Sequence, residues 1–150
     1  RVPMFLAGDG AARLADLLRP FGTPVEIVGL QPGEAAARKL TRSVFFKGMS
    51  GAICEALDAA RAAGVEDWLR SDIARTLESA DASTLDRIVD GTYTHAKRRA
   101  HEMRDAAQLL DELGVPATMT RASGELLERI AREREQAGGS HAQGDVLRDG

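Results

Sequence analysis

The sequence predicts a mainly helical fold that opens with the terminal βαβ piece of a larger α/β domain. Three observations predict it. A strand, a helix and a second strand fit into the first 30 or so residues; a stretch of about 30 residues without proline follows Pro32-Gly33; and every later apolar segment has helical spacing.

The elements follow in order. Val2-Pro-Met-Phe-Leu-Ala7 is a short apolar run that ends in Gly8-Asp9-Gly10, and Ala11 to Arg19 carries Leu14, Leu17 and Leu18 at helical spacing. Pro20-Phe21-Gly22 stops that helix, and Val25-Glu-Ile-Val28, closed by Gly29, reads as the second strand. Two parallel strands alone can neither hide both faces nor pair both edges, so this unit calls for further strands. Residues 1–30 are therefore expected to be the last piece of a larger α/β domain whose earlier part is absent. The start at Arg1 rather than Met fits that expectation.

Glu34 to about Ala63 is rich in Ala, Leu, Arg and Lys, all good helix formers. A helix of that size spans roughly 45 Å and suits a connection between domains or a subunit interface. Gly48 and Gly51 weaken it locally by about 1 kcal/mol each relative to Ala and allow close approach of a neighbour. Gly64 ends it, and Glu66-Asp67 open a helix with Leu69, Ile73 and Leu77 on one face. Ser83 is the expected N-cap of a short helix through Val89, with Gly91 as punctuation. From Tyr93 to Leu113 the pattern places Ala96, Ala100, Met103, Ala107 and Leu110 together, and Gly114-Val-Pro116 stops the helix. A last helix is expected from Ser123 to about Glu135, with Leu126, Leu127, Ile130 and Ala131 inward. Residues 31–137 then form one helical domain, and the Gly-rich, polar residues 138–150 a flexible tail.

Composition excludes several functions. Lys and Arg total 20 against 23 Asp and Glu, and aromatics make up 4%, so neither a basic field nor stacking platforms favour nucleic acid. No apolar run approaches the roughly 20 residues that span a bilayer, and no signal peptide opens the chain. Cys54 is the single cysteine, which rules out an internal disulfide and any Cys-based zinc cluster; it is expected as a small buried thiol in a reducing, cytoplasmic setting. His95 and His101 are six apart, the wrong spacing for joint metal binding on a helix.

Candidate chemistry concentrates on the long helix. Lys39, Ser43 and Lys47 recur every four residues and share a face. An ordinary lysine titrates near about 10.4, and desolvation or a neighbouring cation can bring one toward neutrality, where it exchanges a proton with a substrate hydroxyl. A solvated charge stripe is the commoner origin of such a pattern, and spacing does not decide between them. Arg98 and Arg99 could bind a carboxylate or phosphate through their planar forks, or pair with Glu102 and Asp105 at helical spacing. Trp68 and Tyr93 are expected as packing residues. Gly8-Asp9-Gly10 lacks the third glycine of a dinucleotide fingerprint.

Gly33-Glu-Ala-Ala-Ala-Arg-Lys39, then Ser43 and Glu55-Ala-Leu-Asp-Ala-Ala-Arg-Ala-Ala-Gly64, resembles the interdomain helix of the β-hydroxyacid dehydrogenases. That family includes the 3-hydroxyisobutyrate and 6-phosphogluconate dehydrogenases. The resemblance implies the multi-helical 6-phosphogluconate-dehydrogenase C-terminal fold as a substrate-binding and dimerisation domain over residues 31–137, preceded by the end of a Rossmann-type NAD(P)-binding domain over 1–30, with Lys39 as catalytic acid/base and Ser43 in place of the family's usual Asn. Arg42-Ser43, Lys47-Gly48 and the segment His95-Ala-Lys-Arg-Arg-Ala-His-Glu-Met103 resemble a bacterial, phosphogluconate-dehydrogenase-like branch. Better known relatives carry a Lys-Asp pair at the place of His101-Glu102, which implies that these two line the cofactor cleft. Ser43, Lys47, Arg98 and Arg99 are then the expected substrate contacts. The implied cofactor is NAD or NADP, held mainly by the absent N-terminal domain, so this chain alone is expected to be inactive. The implied partners are a small hydroxyacid and a second copy in a homodimer or higher homo-oligomer. An imine reductase and a non-catalytic dimerisation module are the competing readings.

Overall fold

The computed structural model describes the backbone of residues 3–144 and the side chains of residues 3–137. As expected, it is mainly helical, with a short two-stranded sheet at its start. The chain divides into two compact units, residues 1–50 and 51–150.

In the first unit β1 (Met4–Ala7) pairs in parallel with β2 (Val25–Gly29), with Met4 opposite Val25 and an irregularity after Leu6. The crossover is α1 (Ala11–Leu18), continued by a short 3-10 turn over Arg19–Phe21 that Pro20 starts and Gly22 ends. Leu6, Ala11 and Val28 are its buried apolar residues. Ile27 remains 48% exposed, which fits a sheet with an uncovered face.

The long helix, α2 (Glu34–Ala62), has the bounds its composition predicts within one residue. Glu34 holds its entry: the carboxylate accepts the Gln31 N–H at 3.2 Å, while the Arg38 guanidinium donates to the Val28 carbonyl at 3.1 Å.

The second unit contains the rest of α2, then α3 (Glu66–Glu78), α4 (Ala82–Thr94), α5 (Ala96–Glu112) and α6 (Thr118–Gly144). Its core is an α5–α6 pair closed by small residues. Ala96, Ala100, Ala107 and Leu110 of α5 are buried, as the spacing predicts, and meet Leu127 and Ile130 of α6 and Ala117 before it. Both α2 and α5 end in the same way. Val65 N–H reaches back to the Ala60 carbonyl and Val115 N–H to Leu110, each at 2.8 Å, around Gly64 at φ +75° and Gly114 at φ +70°. This is a Schellman cap, and its left-handed residue is strained with any β-carbon. Gly114→Ala is expected to lower stability by about 1 kcal/mol, read as a fall in urea midpoint at unchanged m-value.

Several local expectations are corrected. The cap of α4 is Asp81 rather than Ser83: its carboxylate accepts Thr84 N–H at 2.9 Å, and Thr84 Oγ1 accepts Asp81 N–H, a capping box. Ser83 donates to the same carboxylate at 2.7 Å. The helix runs past Val89 and Gly91 to Thr94, because Gly91 leaves room for the Arg99 guanidinium, 3.0 Å from where a β-carbon would stand. His95 breaks the chain into α5, which therefore starts at Ala96 and not Tyr93. The last helix begins five residues before Ser123 and runs on to Gly144, so part of the region read as a tail is helical; residues 145–150 lie outside the described residues.

Burial corrects others. Cys54 is exposed: Glu55 and Ala59, one turn apart, face α6 and the core, and Cys54 lies about 100° round the helix from Glu55. Leu126 at 46% and Leu77 at 51% exposure fall outside the covered faces of their helices. Trp68 at 64% and Tyr93 at 51% are not packed within the chain.

Candidate functional site

The first half of α2 carries the candidate catalytic face. From Ala35 to Cys54 the chain holds four basic residues, Arg38, Lys39, Arg42 and Lys47, and no acidic one. Arg38 is spent on β2, through the Val28 carbonyl and a 3.9 Å pair with Glu26. Lys39 and Lys47 are exposed, Ser43 is half-buried, and among the described residues none of the three has a side-chain hydrogen bond or ion pair. Several cations elsewhere are matched by carboxylates: Arg61 with Asp58 and Glu66, Arg104 with Glu128, and Arg121 with Asp111. Arg42 has no carboxylate partner among the described residues either. Its guanidinium stacks over the Phe46 ring, 4.2 Å from the centroid, and Phe45 meets Phe46 edge to face at 5.0 Å.

With about 100° between successive residues, Lys39, Arg42, Ser43, Phe46 and Lys47 lie within about 140° of one another around the helix. The face therefore combines three unpaired cations, one hydroxyl and an aromatic ring. Chemically it can attract an anion, donate hydrogen bonds and take up or release a proton at an amine.

The second candidate group lies at the start of α5. Arg98 and Arg99 do not act as a double fork there. Arg98 pairs with Glu102 at 2.6 Å along the exposed face, the pairing that helical spacing allows. Arg99, half-buried, turns the other way and donates to Thr92 Oγ1 at 2.7 Å, fastening α4. His101 Nδ1 lies 2.6 Å from the Arg104 guanidinium, which can donate to it. Lys97, Arg98 and His101 share an open hollow with Thr94 and His95. Neither Gly8-Asp9-Gly10 nor this hollow forms a glycine-rich cradle for a pyrophosphate, so the described residues do not by themselves fit a dinucleotide.

A residue not singled out as a site is Glu55. Its carboxylate accepts Met119 N–H at 2.7 Å, Thr120 N–H at 2.8 Å and the Thr120 hydroxyl at 2.7 Å. It caps α6 from a helix more than 60 residues upstream, which explains the early start of α6. Partial burial alone would push its pKa up; the Thr120 hydroxyl and the N–H groups of Met119, Thr120 and Thr118 outweigh this and hold it below the ordinary glutamate range. Gly51 belongs to the same joint, since a β-carbon there would stand 3.3 Å from the Met119 sulfur. Gly48 has no such neighbour. Above the joint, a cleft of about 360 Å³ between α2, α3 and α5 is lined by Ala56, Ala59, Leu69 and Leu109. It is apolar, and the Glu55 carboxylate at its edge is already engaged, so it offers nothing to a hydroxyacid.

Comparison with known proteins bears on the family. The family "Domain of unknown function (DUF1932)" matches residues 60–130. An uncharacterised 28.5 kDa protein from Methanothermus fervidus is 24% identical over 127 residues, 85% of this chain and 50% of that protein. Among solved structures, a conserved hypothetical protein from Sinorhizobium meliloti 1021 is 34% identical, with a TM-score of 0.43 over 85% of this chain and 43% of its own. The conserved protein MTH1747, of unknown function and described as structurally similar to 3-hydroxyacid dehydrogenases, is 27% identical, with a TM-score of 0.46 over 89% of this chain and 51% of its own. The chain thus spans about half the length of the relatives it matches.

Proposed function

We propose that this chain is the C-terminal part of an NAD(P)-dependent oxidoreductase that acts on the CH–OH group of a small β-hydroxyacid, with Lys39 as its general acid/base. The observation that carries the reading is the bare amine of Lys39, six residues after Gly33 on α2, with the Ser43 hydroxyl one turn away and no carboxylate partner among the described residues. In the oxidising direction Lys39 Nζ takes the alcohol proton, and Ser43 Oγ hydrogen-bonds the same substrate and fixes its orientation. Lys47 attracts the substrate anion. Nicotinamide, when bound, supplies the hydride acceptor. His101 and Glu102 are assigned to the cofactor. The dinucleotide itself is held by a part of the protein upstream of residues 1–30, and the long helix forms a homodimer or higher homo-oligomer interface. The setting is cytoplasmic, where Cys54 stays reduced.

The complete protein is expected to form NADH or NADPH from at least one β-hydroxyacid, followed as absorbance at 340 nm across a panel of hydroxyacids with each cofactor. Absence of turnover with every panel member, together with no binding of NADH or NADPH, refutes the enzyme reading. A non-catalytic dimerisation module is the second reading, favoured by exposed Leu85, Ile88 and Val89 on one face of α4. An imine reductase is a weaker competitor, since such enzymes often lack the lysine.

A further inference from the structure

We infer that the homo-oligomer is held by a reciprocal lock, in which Trp68 of each copy enters the apolar cleft between α2, α3 and α5 of the other. This rests on the homo-oligomer proposed above and not on the dehydrogenase chemistry. The starting point is α3, a helix of 13 residues with none buried. A helix of about 12–15 residues is marginal in water unless a packed face stabilises it. The ties at the start of α3, Arg61 and Arg70 on Glu66, are surface ion pairs of the kind that contribute little. Something else therefore covers this helix. Trp68, the single tryptophan of the chain, stands 64% exposed on it. Tryptophan is enriched among the residues that anchor protein–protein contacts.

The hole lies beside the knob. Val65 and Leu69 line the cleft, whereas Trp68, about 100° round α3 from Leu69, stands next to its opening. A knob and a hole on one patch satisfy a two-fold axis, across which each copy gives what it receives. At about 360 Å³ the cleft lies within the roughly 300–1,000 Å³ of pockets that enclose a small molecule, enough for an indole. Its α2 wall is built from Ala52, Ala56, Ala59 and Ala63, which leave the floor open, and Met103 and Met119 adapt to what enters. The Ser123 hydroxyl, also on the lining, makes no hydrogen bond among the described residues and can accept the indole N–H. Val65, Trp68 and Leu109 around the cleft, with Leu85, Ile88 and Val89 on α4, expose on the order of 700 Å², within the roughly 600–1,000 Å² per partner of a stable interface. A small molecule would fill the cleft and leave Trp68 in water. A second copy covers both.

The complete protein is compared with Trp68→Ala, Ala56→Leu and the double variant by sedimentation equilibrium from nanomolar to micromolar concentration. The wild type is expected as a dimer. Trp68→Ala removes the knob and Ala56→Leu narrows the hole. Each is expected to raise the dimer dissociation constant about 10- to 100-fold, and Trp68→Phe to restore part of the loss. Because indole and cleft are two halves of one contact, the double variant should be little weaker than either single one. Leu77→Ala, about 180° round α3 from Trp68, should leave the constant unchanged. Circular dichroism and urea melts verify the fold, and Trp68→Ala, at an exposed position, decides alone if Ala56→Leu does not fold. A constant unmoved by Trp68→Ala overturns the inference and leaves the oligomer to another surface. Fully additive effects overturn the pairing of indole with cleft. A wild type that stays monomeric overturns it together with the homo-oligomer, while hydroxyacid turnover at 340 nm judges the chemistry separately. A monomer in which Trp68→Ala lowers the urea midpoint gives the cleft to an upstream part of the protein, and overturns it too.

Discussion

Replacing Lys39 by Met in the complete protein is expected to lower kcat by about 10³- to 10⁴-fold while leaving the dissociation constants of NADH and NADPH unchanged. Proton transfer by a positioned side chain contributes roughly 10²- to 10⁴-fold, and Met removes the proton-carrying atom at nearly constant length. Lys39 is exposed and has no ion-pair partner among the described residues, so its replacement breaks no ion pair there and structural damage does not explain a loss of rate. Thermal unfolding should confirm an unchanged midpoint. Steady-state rates and fluorescence titration of the reduced cofactors check the two halves separately. Turnover within a few-fold of wild type would remove Lys39 from the chemistry.

Glu55→Ala is expected to destabilise the second unit by about 2–3 kcal/mol. It removes a charged acceptor from two backbone N–H groups and one hydroxyl, and Met119 and Thr120 then lose their cap. For a chain of this size that shifts the thermal midpoint by about 5–10 °C. Glu55→Gln should cost less, because its amide oxygen still accepts one of the bonds. The pH dependence separates charge from shape. The folded carboxyl titrates below the unfolded one, so its stabilisation is complete above the ordinary glutamate range and disappears as pH falls through the lowered folded value. Urea melts across that window should therefore show a smaller acid loss for Glu55→Gln than for wild type. Identical acid profiles would mean that the carboxylate contributes no more than its amide.

The same residue marks the boundary of what the sequence discloses. Composition and punctuation locate α2 to within a residue, because helix formers without proline, bounded by Pro32-Gly33 and Gly64, are local signals. The buried alanines of α5 are equally readable from spacing. The start of α6 is not, since its cap arrives from Glu55, and no window of neighbouring residues contains it. Asp81 was passed over for Ser83 because both are good caps two positions apart, and the choice between them is made by Thr84. At the candidate site the stripe Lys39, Ser43 and Lys47 is visible in the sequence. The divergence of Arg98 and Arg99 depends on Thr92 and Gly91 in another helix and becomes visible only in three dimensions.

The way α4 is attached has a consequence for how the second unit opens. Beyond its own capping box, the polar ties of α4 to its neighbours lie in its last turn: Arg99 on the Thr92 hydroxyl, and Arg134 of α6 on the Tyr93 carbonyl at 2.5 Å. Its other end carries exposed Leu85 and Ile88 and no buried residue. Such a segment behaves like a shutter pinned along one edge. Its swing away from the α5–α6 pair is governed by two guanidinium latches rather than by the core, and sub-global opening starts there while the remaining helices stay intact.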